Sequence, residues 1–197
     1  MHIEDGILSG PVLAAGAVIA AAGVARGLWR LDYERIPRVA ALSAAFFVAA
    51  LVHPPGLSIH LILSGLTGLV LGWAAFPAIL VALLLQAVYF RFGGITTLGV
   101  NVMNMALPAV ACYYLFHGAA RGGPKWAAAL AGFSAGTVGI LLSAALYTAC
   151  MATAGRQFMP VIALTLIGHI PVLLMEGLVT MSAVSFLRKV RPEVLGG

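Results

Sequence analysis

The chain has 197 residues, of which 62% are hydrophobic and 9% are charged. A soluble domain carries roughly 25% charged residues, so this composition excludes a solvated globular surface and indicates an integral membrane protein. Lys and Arg exceed Asp and Glu by 11 to 6. Because these charges sit in short loops between apolar runs, they indicate topology, and we expect no nucleic-acid partner.

The chain opens with MHIEDG, and the first long apolar run starts only at Ile7. The α-amine of Met1, the following amide nitrogen and the His2 imidazole can close fused chelate rings around one metal ion. An all-nitrogen, coplanar set suits Ni²⁺, Cu²⁺ or Co²⁺ better than Ca²⁺ or Mg²⁺, and one more nitrogen would complete the plane. The alternative is a start methionine and a chance histidine on a frayed end.

The acidic start argues against removal of this segment. A cleavable secretory signal begins with a positively charged region, whereas this chain begins with Glu4 and Asp5. Initiator methionine is normally trimmed only before a small residue, and His2 is not small. We therefore expect the mature protein to keep a free Met1 amine.

We predict one all-α membrane domain over residues 1–197, with about seven transmembrane helices. Basic residues concentrate in the first loop, the fifth loop and the tail, so the positive-inside rule places the N-terminus outside and the C-terminus in the cytoplasm. The predicted spans cover about 7–28, 39–52, 61–75, 78–90, 100–116, 127–154 and 159–186.

Small residues at helical spacing mark close-packing faces. Ala17, Ala21 and Ala25 recur every four residues in the first span, and Gly132 and Gly136 do so in the sixth. Such faces let another helix approach closely. For the alanine face the sequence leaves two interpretations open, packing within this chain or docking to a partner subunit.

The predicted topology puts residues 53–60 on the side of the N-terminus, so the His60 imidazole can supply the missing nitrogen. His53 is a competing ligand, although its place beside two prolines favours an interface or capping role. A metal-bound histidine needs hydrogen-bond partners that orient its ring. The candidates for that supporting role are Glu4, Asp5, Ser58, Ser64, Asn101 and Asn104. For the two Asn side chains, hydrogen bonding between helices is an equally good interpretation.

Glu176 is the acidic residue in the middle of an apolar span, where ionisable groups are costly and seldom incidental. His169 precedes it by two helical turns on the same face. The two residues could form a metal site, a proton relay or a structural lock. The topology puts Glu176 toward the inner leaflet and far from His2, which favours a structural or gating pair.

The sequence contains no GxxxxGK[ST] phosphate loop, so we expect no ATP hydrolysis by this chain. It also contains no HExxH zinc-protease signature. We therefore predict a protein that is not an enzyme.

Five stretches of this sequence together resemble the CbiM/NikM family, the substrate-capture (S) components of energy-coupling factor transporters for cobalt and nickel. The resemblance covers almost the whole chain. It rests on the opening MHIEDG, residues 58–65, residues 72–101, residues 103–108, and His169-Ile170-Pro171 with Glu176.

The resemblance implies a seven-helix S component whose N-terminus folds into the site. Co²⁺ or Ni²⁺ would be the transported substrate, held by the Met1 amine, the His2 amide and imidazole, and His60. The opening is closer to CbiM, which favours cobalt. The implied location is the bacterial inner membrane. The implied partners are a CbiQ-type transmembrane coupling subunit, CbiO-type ATPase subunits and a small CbiN-type membrane subunit. Because the tail stops soon after the last span, we expect no fused CbiN-like extension.

Two alternatives remain open at this point. One is a haem-binding or redox membrane subunit that uses His53, His60, His117 or His169. The other is an S component that binds a vitamin.

Overall fold

The computed structural model describes residues 2–51 and 60–195, and in these residues all regular structure is helical. This confirms the predicted all-α class. Short 3₁₀ turns precede or follow several of the α-helices. The α-helices are α1 (Gly10–Trp29), α2 (Ile36–Ala49), α3 (Ser64–Leu71), α4 (Ala75–Phe90), α5 (Leu98–Gly122), α6 (Lys125–Ala152) and α7 (Met159–Val190).

Five segments of the described chain are long and apolar enough to cross a membrane. They are α1, the stretch Ser64–Phe90 that contains α3 and α4, α5, α6, and Arg156–Val190, which includes α7. The fourteen residues of α2 fall short of the roughly 20 that a span requires. The fold is therefore that of a multi-pass membrane protein.

The connection between α3 and α4 differs from the sequence prediction. A 3₁₀ turn at Gly72–Ala74 joins them, and Gly72 has a φ of +55°, which favours glycine. The predicted spans 61–75 and 78–90 put the connection at Phe76-Pro77, but both residues lie in the first turn of α4. Proline is tolerated there because the first turn needs no donor from its nitrogen.

The charged loop predicted for residues 29–38 ends earlier than expected. α2 already begins at Ile36, and Pro37 lies in its first turn, where its fixed φ suits the start of a helix. The expected end of this span, residue 52, lies outside the described residues.

The centre of the bundle is built on glycine contacts between helices. α6 lies between α5 and α7 and packs on both, while α3 packs on α5 and α6. A Cβ at Gly65 would lie 2.3 Å from the Ala135 carbonyl oxygen, and one at Gly136 would lie 2.3 Å from the Glu176 carbonyl oxygen. The helices therefore meet backbone to backbone, as the small residues predicted.

α1 packs through a face one residue away from the alanine face noted in the sequence. Gly16, Ala20, Gly23 and Gly27 are its buried residues. Ala17, Ala21 and Ala25 are exposed, although the Ala17 backbone closely approaches Gly99 of α5. The side chains of the alanine face thus point away from the bundle.

Candidate metal centre

The N-terminal segment is held by the start of α5 through its backbone. The Ile3 N–H donates to Asn101 Oδ1 at 2.9 Å, and Asn101 Nδ2 donates back to the Ile3 carbonyl at 3.0 Å. The Thr97 hydroxyl donates to the same carbonyl at 2.7 Å. The Ile3 side chain is 1% exposed. The Asn101 side chain therefore satisfies both backbone hydrogen-bonding groups of Ile3, as the backbone of a paired β-strand does.

Asp5 fastens the same segment to the turn before α5. Its Oδ1 accepts the Thr96 N–H at 3.1 Å, the Thr97 N–H at 3.2 Å and the Thr96 hydroxyl. The hydroxyl bond from Thr96 is the main cause that lowers the pKa of Asp5 below its usual value. A Cβ at Gly94 would lie 1.8 Å from this carboxylate oxygen, so Asp5 occupies the space that a side chain at position 94 would fill.

These contacts bring the imidazoles of His2 and His60 together. Their Nε2 atoms lie 3.1 Å apart, and the rings stack with centroids 5.0 Å apart. His60 is 4% exposed. The two histidines, separated by 58 positions in sequence, thus share one buried site.

One assignment of protons to the two neutral rings fits their hydrogen bonds. His60 Nδ1 lies 2.8 Å from the Leu61 carbonyl, which only accepts, so Nδ1 carries the proton and Nε2 has a lone pair. His2 Nε2 then donates to His60 Nε2. In this assignment His2 Nδ1, which is buried and makes no hydrogen bond to the described residues, keeps its own lone pair. Both rings are in the form that ligates a metal.

The surroundings of His2 favour its neutral form. Phe92 stacks on the ring with a centroid distance of 6.0 Å. Burial lowers the pKa of His2 well below 6.5, and the nearby positive N-terminus and His60 lower it further. His2 therefore remains unprotonated at neutral pH.

The prediction that Glu176 lies far from this site is wrong. Its side chain is fully buried in α7, and Oε1 accepts the N–H of Ile62 and, at 2.8 Å, the N–H of Leu63. These residues follow His60 closely, and the segment that carries them crosses to α7 before α3 begins. Sequence topology could not show this crossing, because it treated residues 61–75 as one regular span.

His169 does not pair directly with Glu176. Its Nδ1 bonds the Thr165 carbonyl within α7 at 2.6 Å, and its buried Nε2 has no hydrogen-bond partner among the described residues. The two side chains are both buried in α7, two turns apart. The structure therefore separates the predicted pair into two groups with different contacts.

The remaining candidate site residues lie in different surroundings. Glu4 is exposed. Ser64 is buried at the start of α3, where its hydroxyl faces Gly139 and finds no hydrogen-bond partner within residues 2–51 and 60–195. Asn104 Oδ1 lies 3.7 Å from the Cys150 thiol, so Asn101 alone of the two Asn residues holds the N-terminal segment. Met1, His53 and Ser58 lie outside the described residues.

Sequence reasoning missed Thr96, Thr97 and Phe92 as parts of this site. The signal for them is the run FGGITT shortly before Asn101, where two glycines make room and two threonines supply donors. Among the described residues, no three side chains of His, Cys, Asp or Glu converge on one point.

Known proteins match this sequence along almost its whole length. Residues 2–194 match the family described as CbiM, the cobalt uptake substrate-specific transmembrane region. A putative metal transport protein of Haemophilus influenzae is 45% identical, over 99% of this chain and 97% of that protein. The cobalt transport protein CbiM of Sorangium cellulosum is 31% identical, over 99% and 94%. A putative fused nickel transport protein NikMN of Archaeoglobus fulgidus is 31% identical, over 99% and 68%.

The fold also matches solved structures. A crystal structure of a truncated transition metal transporter superposes with a TM-score of 0.69 at 23% identity, covering 98% of this chain and 99% of that one. A second transition metal transporter gives the same TM-score at 24% identity. At these identities the likeness concerns the fold.

Proposed function

Because the chain belongs to the CbiM family of cobalt and nickel uptake transmembrane components, we propose that it is the S component that captures the ion for an energy-coupling factor transporter. The observation that supports this proposal best is the contact between His2 and His60. The two neutral imidazoles come from distant parts of the chain, and separate helices hold the segments that carry them.

In the proposed site four nitrogens surround Co²⁺ or Ni²⁺. The Met1 amine and the His2 amide nitrogen close a five-membered ring with the metal, and the amide and His2 Nδ1 close a six-membered ring. His2 Nδ1 is buried and has no hydrogen-bond partner among the described residues, and His60 contributes Nε2. Imidazole and amide nitrogens suit these ions.

The proposed capture starts on the outer side of the bacterial inner membrane, where the positive-inside rule places the N-terminus. Asn101, Thr97 and Asp5 hold the N-terminal segment in place through the contacts described above. The metal displaces protons from its ligands, and the segment that carries His60 completes the site. We propose cobalt as the preferred ion, because the opening MHIEDG is closer to CbiM.

ATP hydrolysis in this proposal belongs to partner subunits. The family resemblance implies a CbiQ-type coupling subunit, CbiO-type ATPases and a CbiN-type small subunit. The exposed alanines of α1 support docking to a coupling subunit, because small side chains let a second helix approach closely.

The experiment that tests the proposal measures Co²⁺ and Ni²⁺ binding to the purified full-length protein by calorimetry. The wild type should bind, and His60→Ala should remove most of the affinity. His117→Ala is the matched control, because that imidazole lies in the second half of α5 and bonds the Leu69 carbonyl of α3. Binding by His60→Ala at wild-type affinity would assign the fourth ligand elsewhere. A Soret absorbance band instead of metal binding would favour a haem subunit.

A further inference from the structure

One buried carboxylate outside the histidine pair is connected to it through a single peptide group. Glu176 Oε1 accepts the Ile62 N–H. The carbonyl of that same peptide group belongs to Leu61, and it accepts from His60 Nδ1 at 2.8 Å. The hydrogen bonds therefore run from the Glu176 carboxylate through one peptide plane to the His60 ring.

The segment between His60 and α3 needs such an acceptor. α3 begins at Ser64, so the N–H groups of Ile62 and Leu63 lie before the helix and take no part in its own hydrogen bonds. Leu63 also has a φ of +56°, a left-handed conformation that a leucine rarely adopts. Glu176 satisfies both N–H groups with one oxygen. The Glu176 carboxyl thus caps the N-terminal end of α3.

We propose that Glu176 is the positioning residue for His60, acting through the Leu61–Ile62 peptide group. This inference rests on the proposed function of His60 as a metal ligand. The hydrogen bond from the Ile62 N–H to Oε1 polarises the peptide, so that the Leu61 carbonyl accepts the His60 Nδ1 proton more strongly. That bond fixes the tautomer and the ring orientation and makes Nε2 a better donor to the metal. A carboxylate on α7 thereby controls a ligand that lies outside α7.

Two substitutions of Glu176 separate the effect of its hydrogen-bond acceptor from the effect of a carboxylate charge. Glu176→Ala removes the acceptor for both N–H groups. Glu176→Gln keeps an oxygen where Oε1 lies, and its amide nitrogen replaces Oε2, which makes no hydrogen bond among the described residues. Thr180→Val is the matched control, because Thr180 is fully buried one turn further along α7 and its hydroxyl has no hydrogen-bond partner in the described part of the chain.

The experiment measures Ni²⁺ and Co²⁺ affinity of the full-length variants by calorimetry, and amide hydrogen exchange in the peptide spanning 60–66 without metal. We expect Glu176→Ala to lose about 10- to 100-fold in affinity, as is typical when a group that orients a ligand is removed. Exchange at Ile62 and Leu63 should rise in the same variant. Glu176→Gln should recover most of both properties, and Thr180→Val should match the wild type.

Wild-type affinity and wild-type exchange in Glu176→Ala would overturn the proposal. It would also be overturned if Glu176→Gln lost as much affinity as Glu176→Ala while keeping the exchange protection, since the charge alone would then matter. If the wild type bound neither ion, the proposed function would fail. The exchange data would still show whether Glu176 holds the segment.

Discussion

The two halves of the candidate site are held in different ways. The N-terminal half is fixed by neutral groups of α5, where Asn101 both donates to and accepts from Ile3. The His60 half is fixed by one buried carboxylate of α7, which only accepts. The Asn101 amide binds both the donor and the acceptor of one residue, whereas Glu176 places an ionisable group in a region where charge is costly.

The difference follows from what each half must satisfy. The N-terminal segment presents a backbone donor and a backbone acceptor at Ile3, so an amide side chain matches it. The segment after His60 presents two N–H groups in succession, and a carboxylate oxygen accepts both. Because α6 lies between α5 and α7, the two halves belong to helices that are packed on a common neighbour.

The largest expected effect comes from one added residue before Met1. The addition moves the α-amine away from the His2 amide and removes the five-membered ring of the proposed chelate. Metal affinity measured by calorimetry should fall below detection. A matched protein with the same residue added after Gly197 should bind normally. Full affinity in the N-terminally extended protein would remove Met1 from the ligand set.

A smaller loss is expected when the α5 half is weakened alone. Asn101→Ala removes both bonds to Ile3 and should lower metal affinity about 10- to 100-fold, the range usual for groups that support metal ligands. Asn104→Ala removes the same amide one turn further along α5 and should bind as the wild type does. Equal losses in the two variants would mean that α5 as a whole has changed, and not its contact with Ile3.

Acidic pH should loosen the N-terminal half before it neutralises Asp5. Burial lowers the pKa of His2, so the docked state takes up a proton less readily than the undocked one. The free energy that favours docking therefore has its full value above about pH 6.5, the ordinary pKa of histidine. It decreases as the pH falls below that value. Asp5 has a lowered pKa and keeps its charge in this range.

Hydrogen exchange at residues 2–5 of the metal-free protein, corrected for intrinsic rates, would show this loosening between pH 7.5 and 5.5. His2→Ala should remove the dependence. A pH dependence that persists in that variant would trace it to another group.

The smallest expected effect belongs to Asp5→Asn. The amide oxygen still accepts from the threonine turn, but the negative charge near the start of α5 is lost, and such a charge contributes about 0.3–1 kcal/mol. Metal affinity should therefore drop only a few-fold at low ionic strength, with less difference at high salt. A loss of metal affinity as large as that of Asn101→Ala would mean that the Asp5 charge contributes as much to docking as the Asn101 amide does.

The sequence identifies the helices and the pairing of His2 with His60 because both depend on coarse features. Apolar runs define the spans, and the charge distribution places residues 53–60 beside the N-terminus. The structure has these two histidines in contact, although the metal that they are proposed to bind remains a prediction.

The role of Glu176 could not be predicted in this way. It depends on residues 60–63 leaving the helical path and crossing to α7, with Leu63 in a left-handed conformation. Hydropathy treats those residues as the start of a span. The role of Thr97 could not be predicted for a related reason. Its hydroxyl donates to the backbone carbonyl of Ile3, and a backbone partner cannot be identified from side-chain patterns.

The short connection between Ile3 and α1, which begins at Gly10, makes the N-terminus a tethered ligand of its own protein. A binding group on so short a linker works at an effective concentration of about millimolar or higher. Individually weak contacts, such as those made by Asn101 and Thr97, are then sufficient to keep it docked. The same tether lets the segment leave and return without being lost, so that metal exchange needs only local undocking of a few residues.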